Sequence, residues 1–194
     1  MPRITRESLM TLEAYSKVRS DFRANVMAHK KARTVHLGEH VTLLFEDEMT
    51  MRYQVQEMLR AERIFEEEGI QDELDAYNPL IPDGSNWKAT MLIQYEDIAQ
   101  RQQALAQLKG IERRVWVQVE GGPRVYAVAD EDLERENEAK TASVHCLRLE
   151  LDDASKHALR GGAALAMGVD HPAYRATEQI GPVVRDSLLK DLAF

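Results

Sequence analysis

Charged side chains interrupt the apolar faces of two predicted helices, and they are the first candidates for chemistry in this chain. Apolar residues recur at helical spacing between Met51 and Phe65, and Glu62 falls in the middle of that face. Arg19 and Arg23, four residues apart, fall on the apolar face of an earlier predicted helix. Burial penalises the charged form of a lone carboxylate. The pattern therefore predicts that Glu62 points inward and meets Arg19 or Arg23.

Such a cluster has two interpretations. It could form a ligand pocket, in which the arginines hold an anionic group and Glu62 acts as an acid, a base or a metal ligand. It could instead be a structural ion-pair network that fixes how the two helices pack. We favour the structural network, because ion-pair networks without any catalytic role produce the same pattern. Arg63 lies at the edge of the apolar face and could join either arrangement.

A loop next to the second predicted helix adds two candidates. The stretch "YNPLIPDGSN" begins at Tyr77 and Asn78 and carries the Pro, Asp and Gly residues of turns. Loops on a rigid scaffold often bind ligands, although polar turn residues more often bond to their own backbone. The complete set of candidate ligand-binding residues is Arg19, Arg23, Glu62, Arg63, Tyr77 and Asn78.

The sequence predicts no structural metal site. One cysteine, Cys146, is too few for the common sulfur-rich zinc sites. His36 and His40 share a face of one predicted strand, but four residues of strand would separate them by roughly 13 Å. An alternative iron site would use Glu62 and Glu66 as ligands. No motif assigns a catalytic residue or a cofactor.

The composition narrows the class of partner. The chain has 194 residues and a net charge of −8, with 44% hydrophobic and 30% charged residues. This charge argues against generic binding to nucleic acid or to an anionic membrane. The N-terminus lacks the apolar core of a signal peptide, and no apolar run is long enough for a membrane span. We expect a cytoplasmic protein whose partner is a redox protein or a small anionic ligand, and the oligomeric state stays open.

The periodicity predicts a single α+β domain with an antiparallel-rich sheet covered by helices. Residues 1–86 should form a helical half, with long helices at 5–31 and 50–74 that pack together and a strand or hairpin bent at Gly38. Residues 87–170 should form the sheet, including a hairpin around "GGP". Residues 171–194 should form a C-terminal helix that kinks near Gly181. The acidic stretch 131–140 should be a solvated helix or loop.

Two stretches of the predicted sheet share one order of elements. "MLIQYEDIAQRQQALAQLKGIERRVWVQVE" and "HCLRLELDDASKHALRGGAALAMGVD" each combine a strand, an acidic cap, a short helix, a glycine and a strand. This similarity indicates a duplicated β-α-β unit that forms one sheet with the helices packed on one face, in which the first strands of the two copies are related by a pseudo-two-fold. The alternative is that the two stretches acquired the same order of strands, turns and helices independently, without a duplication.

Several segments resemble one known family. Residues 42–95, the N-terminal "YSKVRSDFRANVMAHKKARTVHLG" and the later "SVHCLRLEL" and "VDHPAY" are similar to a bacterial family of unknown function, number 3501. The resemblance covers nearly the whole chain. It implies genomic neighbours of the rubrerythrin-like and iron–sulfur oxidoreductase kinds, and hence a setting in peroxide or iron-linked redox metabolism. That implication is an association and carries no mechanism.

These observations give one functional expectation and two alternatives. We expect a non-enzymatic accessory or small-ligand-binding protein, linked through the resemblance to bacterial redox or iron-stress metabolism. The first alternative is an enzyme that uses Glu62 as a buried general base beside Arg19 and Arg23. The second is an iron-binding protein with Glu62 and Glu66 as ligands.

Overall fold

The structure is a computed structural model that describes residues 3–129 and 140–194. After a short 3-10 turn, the N-terminal part contains, in chain order, helix α1 (Leu12–Lys31), strands β1 (Thr34–Leu37) and β2 (Val41–Glu46), and helices α2 (Glu48–Ala61) and α3 (Glu67–Tyr77). Then follow strand β3 (Asn86–Ile93), helix α4 (Ile98–Gln107), strands β4 (Val115–Val119), β5 (Arg124–Tyr126), β6 (Val128–Ala129) and β7 (Val144–Glu150), helix α5 (Asp153–Arg160), strands β8 (Leu165–His171) and β9 (Tyr174–Gln179), and helix α6 (Pro182–Leu189).

The strands form two antiparallel sheets, and this confirms the α+β class. The first sheet has the order β1-β2-β3-β7-β6, and the second has the order β5-β4-β8-β9. Buried residues of both sheets belong to one apolar cluster, to which helices α4, α5 and α6 also contribute. In β4, Val115, Val117 and Val119 belong to this cluster. Because side chains alternate along a strand, the residues between them face away from it.

A second apolar cluster holds the N-terminal helices. Residues from α2 and α3 pack against the chain before α1 and the loop after α3. Its buried members are Ile4, Leu9, Met51, Val55, Leu59, Ile70, Leu74 and Ile81. Within the described residues, no helix combines the length and the apolar character needed to cross a membrane.

The helix expected at residues 50–74 is two helices. Helix α2 ends at Ala61, and Arg63 adopts a left-handed backbone with a φ of 55°. The amide of Ile64 donates to the carbonyl of Leu59, and the amide of Glu62 donates to that of Met58. The first of these hydrogen bonds is the one that closes a Schellman motif at a helix end, although glycine usually occupies the left-handed position. The first helix also starts later than expected, because Thr11 caps α1 through its side chain.

The expected C-terminal helix of residues 171–194 is wrong over its first part. Residues Tyr174–Gln179 form β9, which pairs with β8, and only Pro182–Leu189 is helical. Pro182 lies in the first turn of α6. A proline is favourable there, because the amide that it lacks would have no partner within the helix.

The two stretches of the suspected duplication have the predicted order of elements, but the two strands of each stretch lie in different sheets and not in the one sheet that was expected. Strands β3 and β4 flank helix α4, and strands β7 and β8 flank helix α5. Strand β3 pairs antiparallel with β7, and β4 pairs antiparallel with β8, as a pseudo-two-fold between the two units would require. The duplication itself and the single domain remain predictions. The acidic stretch 131–140 lies outside the described residues apart from Lys140.

Candidate functional site

Helices α1 and α2 are joined by an ion pair between Arg19 and Glu57. Nε and Nη2 of Arg19 each donate to a carboxylate oxygen of Glu57 at 2.7 Å. Tyr15, whose side chain is fully buried, also donates to Glu57 at 2.6 Å. The Arg19 hydrogen bonds lower the pKa of Glu57 to about 2, and the hydroxyl of Tyr15 adds to this effect. Arg19 therefore has the interhelical carboxylate partner that its spacing predicts.

The expectation that Glu62 is this partner is wrong. Glu62 is exposed and follows the last residue of α2 as its C-cap. Because the helix ends at Ala61, the helical spacing that placed Glu62 on the apolar face stops one residue before it. Glu57, which the same spacing assigns to the wet side of the helix, points instead toward α1.

The other predicted site residues do not gather around Arg19. Arg23 and Arg63 are exposed, and Tyr77, at the start of the loop, is half-buried. Burial raises the pKa of Tyr77. The side chain of Asn78 accepts from the amide of Ile4 at 2.9 Å and donates to its carbonyl at 3.0 Å. Asn78 thus fastens the N-terminal segment to the loop.

The alternative iron site has little geometric support. Glu62 ends α2 and Glu66 precedes α3, and both are exposed. Among residues 3–129 and 140–194, no group of three or more His, Cys, Asp or Glu side chains could hold a metal ion.

A buried ionic cluster anchors the C-terminal helix. Arg33, 1% exposed, donates to Asp191 at 2.5 Å and to the carbonyl oxygens of Phe45 and Glu46. His29 lies 2.5 Å from Asp47, whose carboxylate is also 3.4 Å from Arg33. Burial raises the pKa of Asp191 to about 6, although the Arg33 guanidinium lowers it. Most polar groups here point at one another or at the backbone, so we regard this cluster as structural.

The outer face of the second sheet carries a different set of polar residues. Tyr126, Trp116, Gly168 and Thr177 lie directly opposite one another on β5, β4, β8 and β9. On either side of this row are the three arginines and one aspartate of a cavity of about 330 Å³. We call this cavity the arginine cavity, and its lining residues are Arg114, Trp116, Arg124, Val169, Asp170, Arg175 and Thr177.

Trp116 forms the floor of this cavity, and Gly168 makes room for it. A Cβ atom at position 168 would lie 2.4 Å from Cζ2 of the indole and 2.5 Å from the carbonyl oxygen of Ala176. Only a residue without a side chain therefore lets the ring lie over β8. Above the ring, the guanidinium carbon of Arg124 is 4.0 Å from the indole centroid, which is a cation–π contact.

The charges of the arginine cavity are unbalanced. Arg114 Nε lies 3.1 Å from Asp170 Oδ1, and Arg124 Nη1 lies 3.6 Å from Asp170 Oδ2. Tyr126 donates its hydroxyl to Asp170 Oδ2 at 2.5 Å. Arg175 stands opposite Asp170 on β9, is exposed, and forms no ion pair with any described residue. The cavity lining thus contains three guanidinium groups and one carboxylate, which leaves a local excess of two positive charges.

Two buried polar atoms of the arginine cavity lack a hydrogen-bond partner. In the described part of the chain, three buried side-chain nitrogen or oxygen atoms are unpaired, and two of them are Trp116 Nε1 and Asp170 Oδ1. Most buried polar atoms in proteins are paired, so each exception calls for an explanation. Here one unpaired atom is a donor and the other an acceptor, and both residues line the same cavity.

Sequence reasoning missed this site. The alternation in "RVWVQVE" places Arg114, Trp116 and Gln118 on one face, but it does not identify their neighbours. Arg124 and Arg175 join them only through the pairing of β4 with β5 and of β8 with β9. Trp116, a large aromatic residue on the otherwise polar face of this alternation, is the one local signal of an occupied outer surface.

The fold and site define a two-sheet α+β protein with a small cationic cavity, and its family follows from comparison. Residues 3–192 match the model of the family described as "Protein of unknown function (DUF3501)", so the chain belongs to that family. A crystal structure of a novel protein of unknown function from Burkholderia pseudomallei K96243 is similar, with 56% sequence identity and a TM-score of 0.94. The match covers 99% of this chain and 100% of that one. No curated protein matches the chain.

The Arg19–Glu57 pair generates a test of how pH affects stability. Glu57 has a folded pKa of about 2, below the value of about 4.3 for an unpaired glutamate. Its contribution to stability should be complete above about pH 4.3 and should fade as the pH falls toward 2. We expect Glu57→Gln to reduce the free energy of unfolding at pH 6 by about 1–2 kcal/mol, and to flatten its acid dependence. Urea unfolding between about pH 1.5 and about pH 6, a range that includes both pKa values, measures this.

Glu62→Gln is the matched control, because it removes the same charge from an exposed position five residues further on. It should keep the wild-type pH dependence. A larger effect of Glu62→Gln than of Glu57→Gln would mean that Glu62, and not Glu57, is the interhelical carboxylate.

The contact between Trp116 and Gly168 generates a second test. Gly168→Ala should lower the free energy of unfolding by about 1–3 kcal/mol, because the added methyl group meets backbone as well as the indole. Gly161→Ala is the control, since Gly161 has a φ of −72° and a Cβ there would make only ordinary van der Waals contacts at 3.4 Å. It should not lower the free energy of unfolding. Equal effects of the two substitutions in urea unfolding would show that the indole does not lie over Gly168.

Proposed function

We propose that this protein binds a small oxyanion in the arginine cavity, and that it is a ligand-binding protein rather than an enzyme. The observation that carries the proposal is the convergence of Arg114, Arg124 and Arg175 on one small cavity with a single carboxylate. A whole chain of charge −8 gives no general attraction for anions. The positive charge is therefore local, as expected of a site for one ligand.

The size of the cavity supports a small ligand. Small-molecule sites usually have volumes of about 300–1,000 Å³, and about 330 Å³ lies at the lower end of that range. Guanidinium groups suit carboxylate and phosphate oxygens, because their N–H donors form a planar fork. The indole N–H of Trp116 adds a buried donor of fixed direction.

The enzymatic alternative depends on a buried Glu62 carboxylate, which the structure does not have. It requires Glu62 as a buried base beside Arg19 and Arg23, whereas Glu62 is exposed and Arg19 is engaged by Glu57. The iron-binding alternative depends on Glu62 and Glu66, which are exposed residues on separate elements. A cytoplasmic setting in redox or iron-stress metabolism stays in the proposal and rests on the family resemblance alone.

Removing one arginine tests the proposal. Inorganic phosphate should bind the wild-type protein in isothermal titration calorimetry at low ionic strength, and it should raise the unfolding temperature. Arg175→Ala should weaken this binding by about tenfold or more, because a charge-assisted hydrogen bond contributes about 1.5–3 kcal/mol. Arg175 forms no ion pair with the described residues, so its removal should leave stability almost unchanged.

Arg23→Ala is the matched control, since Arg23 is also an exposed arginine and was the sequence-based candidate. It should bind phosphate as the wild-type protein does. The proposal fails if none of phosphate, sulfate, glycolate and acetate binds the wild-type protein, or if Arg23→Ala weakens binding as much as Arg175→Ala.

A further inference from the structure

The unpaired atoms of the arginine cavity differ in what they need from a ligand. Trp116 Nε1 is a donor and needs an acceptor, and so do the N–H groups of the arginines. Asp170 Oδ1 is an acceptor and needs a donor. Its distance of 3.1 Å from Arg114 Nε gives an ion pair but no hydrogen bond. A ligand that satisfies both atoms must therefore carry an acceptor and a donor on the same small group.

Three neighbouring side chains hold the Asp170 side chain in place. It receives the Tyr126 hydroxyl on Oδ2, and it has guanidinium groups on two sides. An ionised carboxylate only accepts hydrogen bonds, so it repels any oxyanion that presents nothing but lone pairs. An oxyanion that keeps an O–H can instead donate that hydrogen to Asp170 Oδ1 while its other oxygens face the arginines and Trp116.

We propose that Asp170 makes the site selective for an oxyanion that carries its own O–H donor. This inference rests on the proposed function and names the class of ligand. Two sources share the chemistry: hydrogen phosphate, which retains at least one P–O–H at neutral pH, and a 2-hydroxy carboxylate. Sulfate and simple carboxylates carry acceptors alone at that pH, and they lack a partner for Asp170 Oδ1.

The same logic assigns separate roles to Trp116 and Asp170. The indole N–H meets an acceptor, which every oxyanion has, so Trp116 contributes affinity without distinguishing between them. Asp170 meets a donor, which only some oxyanions have, so it contributes selectivity. Sites built to hydrogen-bond a ligand hydroxyl reject analogues that lack it, because the polar group of the site is left unpaired.

Two matched pairs of ligands test the inference on the full-length wild-type protein. Phosphate is compared with sulfate, and glycolate with acetate, by isothermal titration calorimetry at neutral pH and constant ionic strength. In at least one pair, we expect the member with the O–H to bind about 10- to 100-fold more tightly, the ratio expected for one hydrogen bond to a charged group. The pair with the tighter binding identifies whether the ligand is a phosphate or a hydroxy acid.

Two variants separate the roles. In Asp170→Asn the amide can donate, so sulfate should bind more tightly than to the wild-type protein and the phosphate-to-sulfate ratio should fall to within about twofold. Trp116→Phe removes the N–H, so it should weaken both members of a pair by about fivefold and leave their ratio unchanged. The wild-type ratios need no variant, so they decide the inference even if a variant folds poorly.

The outcomes for the two proposals are distinguishable. If both members of each pair bind the wild-type protein with equal affinity, the selectivity of Asp170 is refuted and small-oxyanion binding stands. If none of the four anions binds, the proposed function itself fails.

Discussion

The outer face of the second sheet depends on the contact between Trp116 and Gly168. A Cβ atom at position 168 would meet both the indole of Trp116 and the carbonyl oxygen of Ala176, so the ring could not lie where it forms the floor of the cavity. The ring in turn supports the guanidinium of Arg124 at 4.0 Å. It also brings a buried N–H donor without a partner to the same place. One missing Cβ atom thereby sets the shape of the cavity and part of its chemistry.

The two faces of this sheet carry separate tasks. The inner face of β4, with Val115, Val117 and Val119, contributes to the apolar core that both sheets share. The outer face is free to hold charges, because the core on the other side already stabilises the strands. Arg114 precedes β4, whereas Arg124 and Arg175 come from β5 and β9, so no local segment contains the site. A local positive field can then exist on a chain whose total charge is −8.

Local patterns predicted the parts of this protein that depend on neighbours in sequence. The hairpin at Gly38, the hairpin at "GGP" and the α+β class follow from turn chemistry and alternation. The end of α2 did not follow, because Arg63 takes a left-handed position that glycine usually signals, and this moved Glu62 out of the helix. The helical interpretation of Tyr174–Gln179 failed since pairing with β8 overrides a weak local preference. The arginine cavity was out of reach of the sequence, because strand pairing alone brings its residues together.

The two tryptophans allow the most direct test of the central claim. Trp87 donates its indole N–H to the carbonyl oxygen of Leu188 at 2.9 Å, whereas the indole N–H of Trp116 has no partner. In nuclear magnetic resonance spectra of the ¹⁵N-labelled protein, the two indole N–H signals can be followed during a titration with phosphate. A ligand in the arginine cavity should shift the Trp116 signal downfield and leave the Trp87 signal unchanged. A Trp116 signal that stays in place while phosphate binds would contradict the account, because the anion would then lie somewhere else.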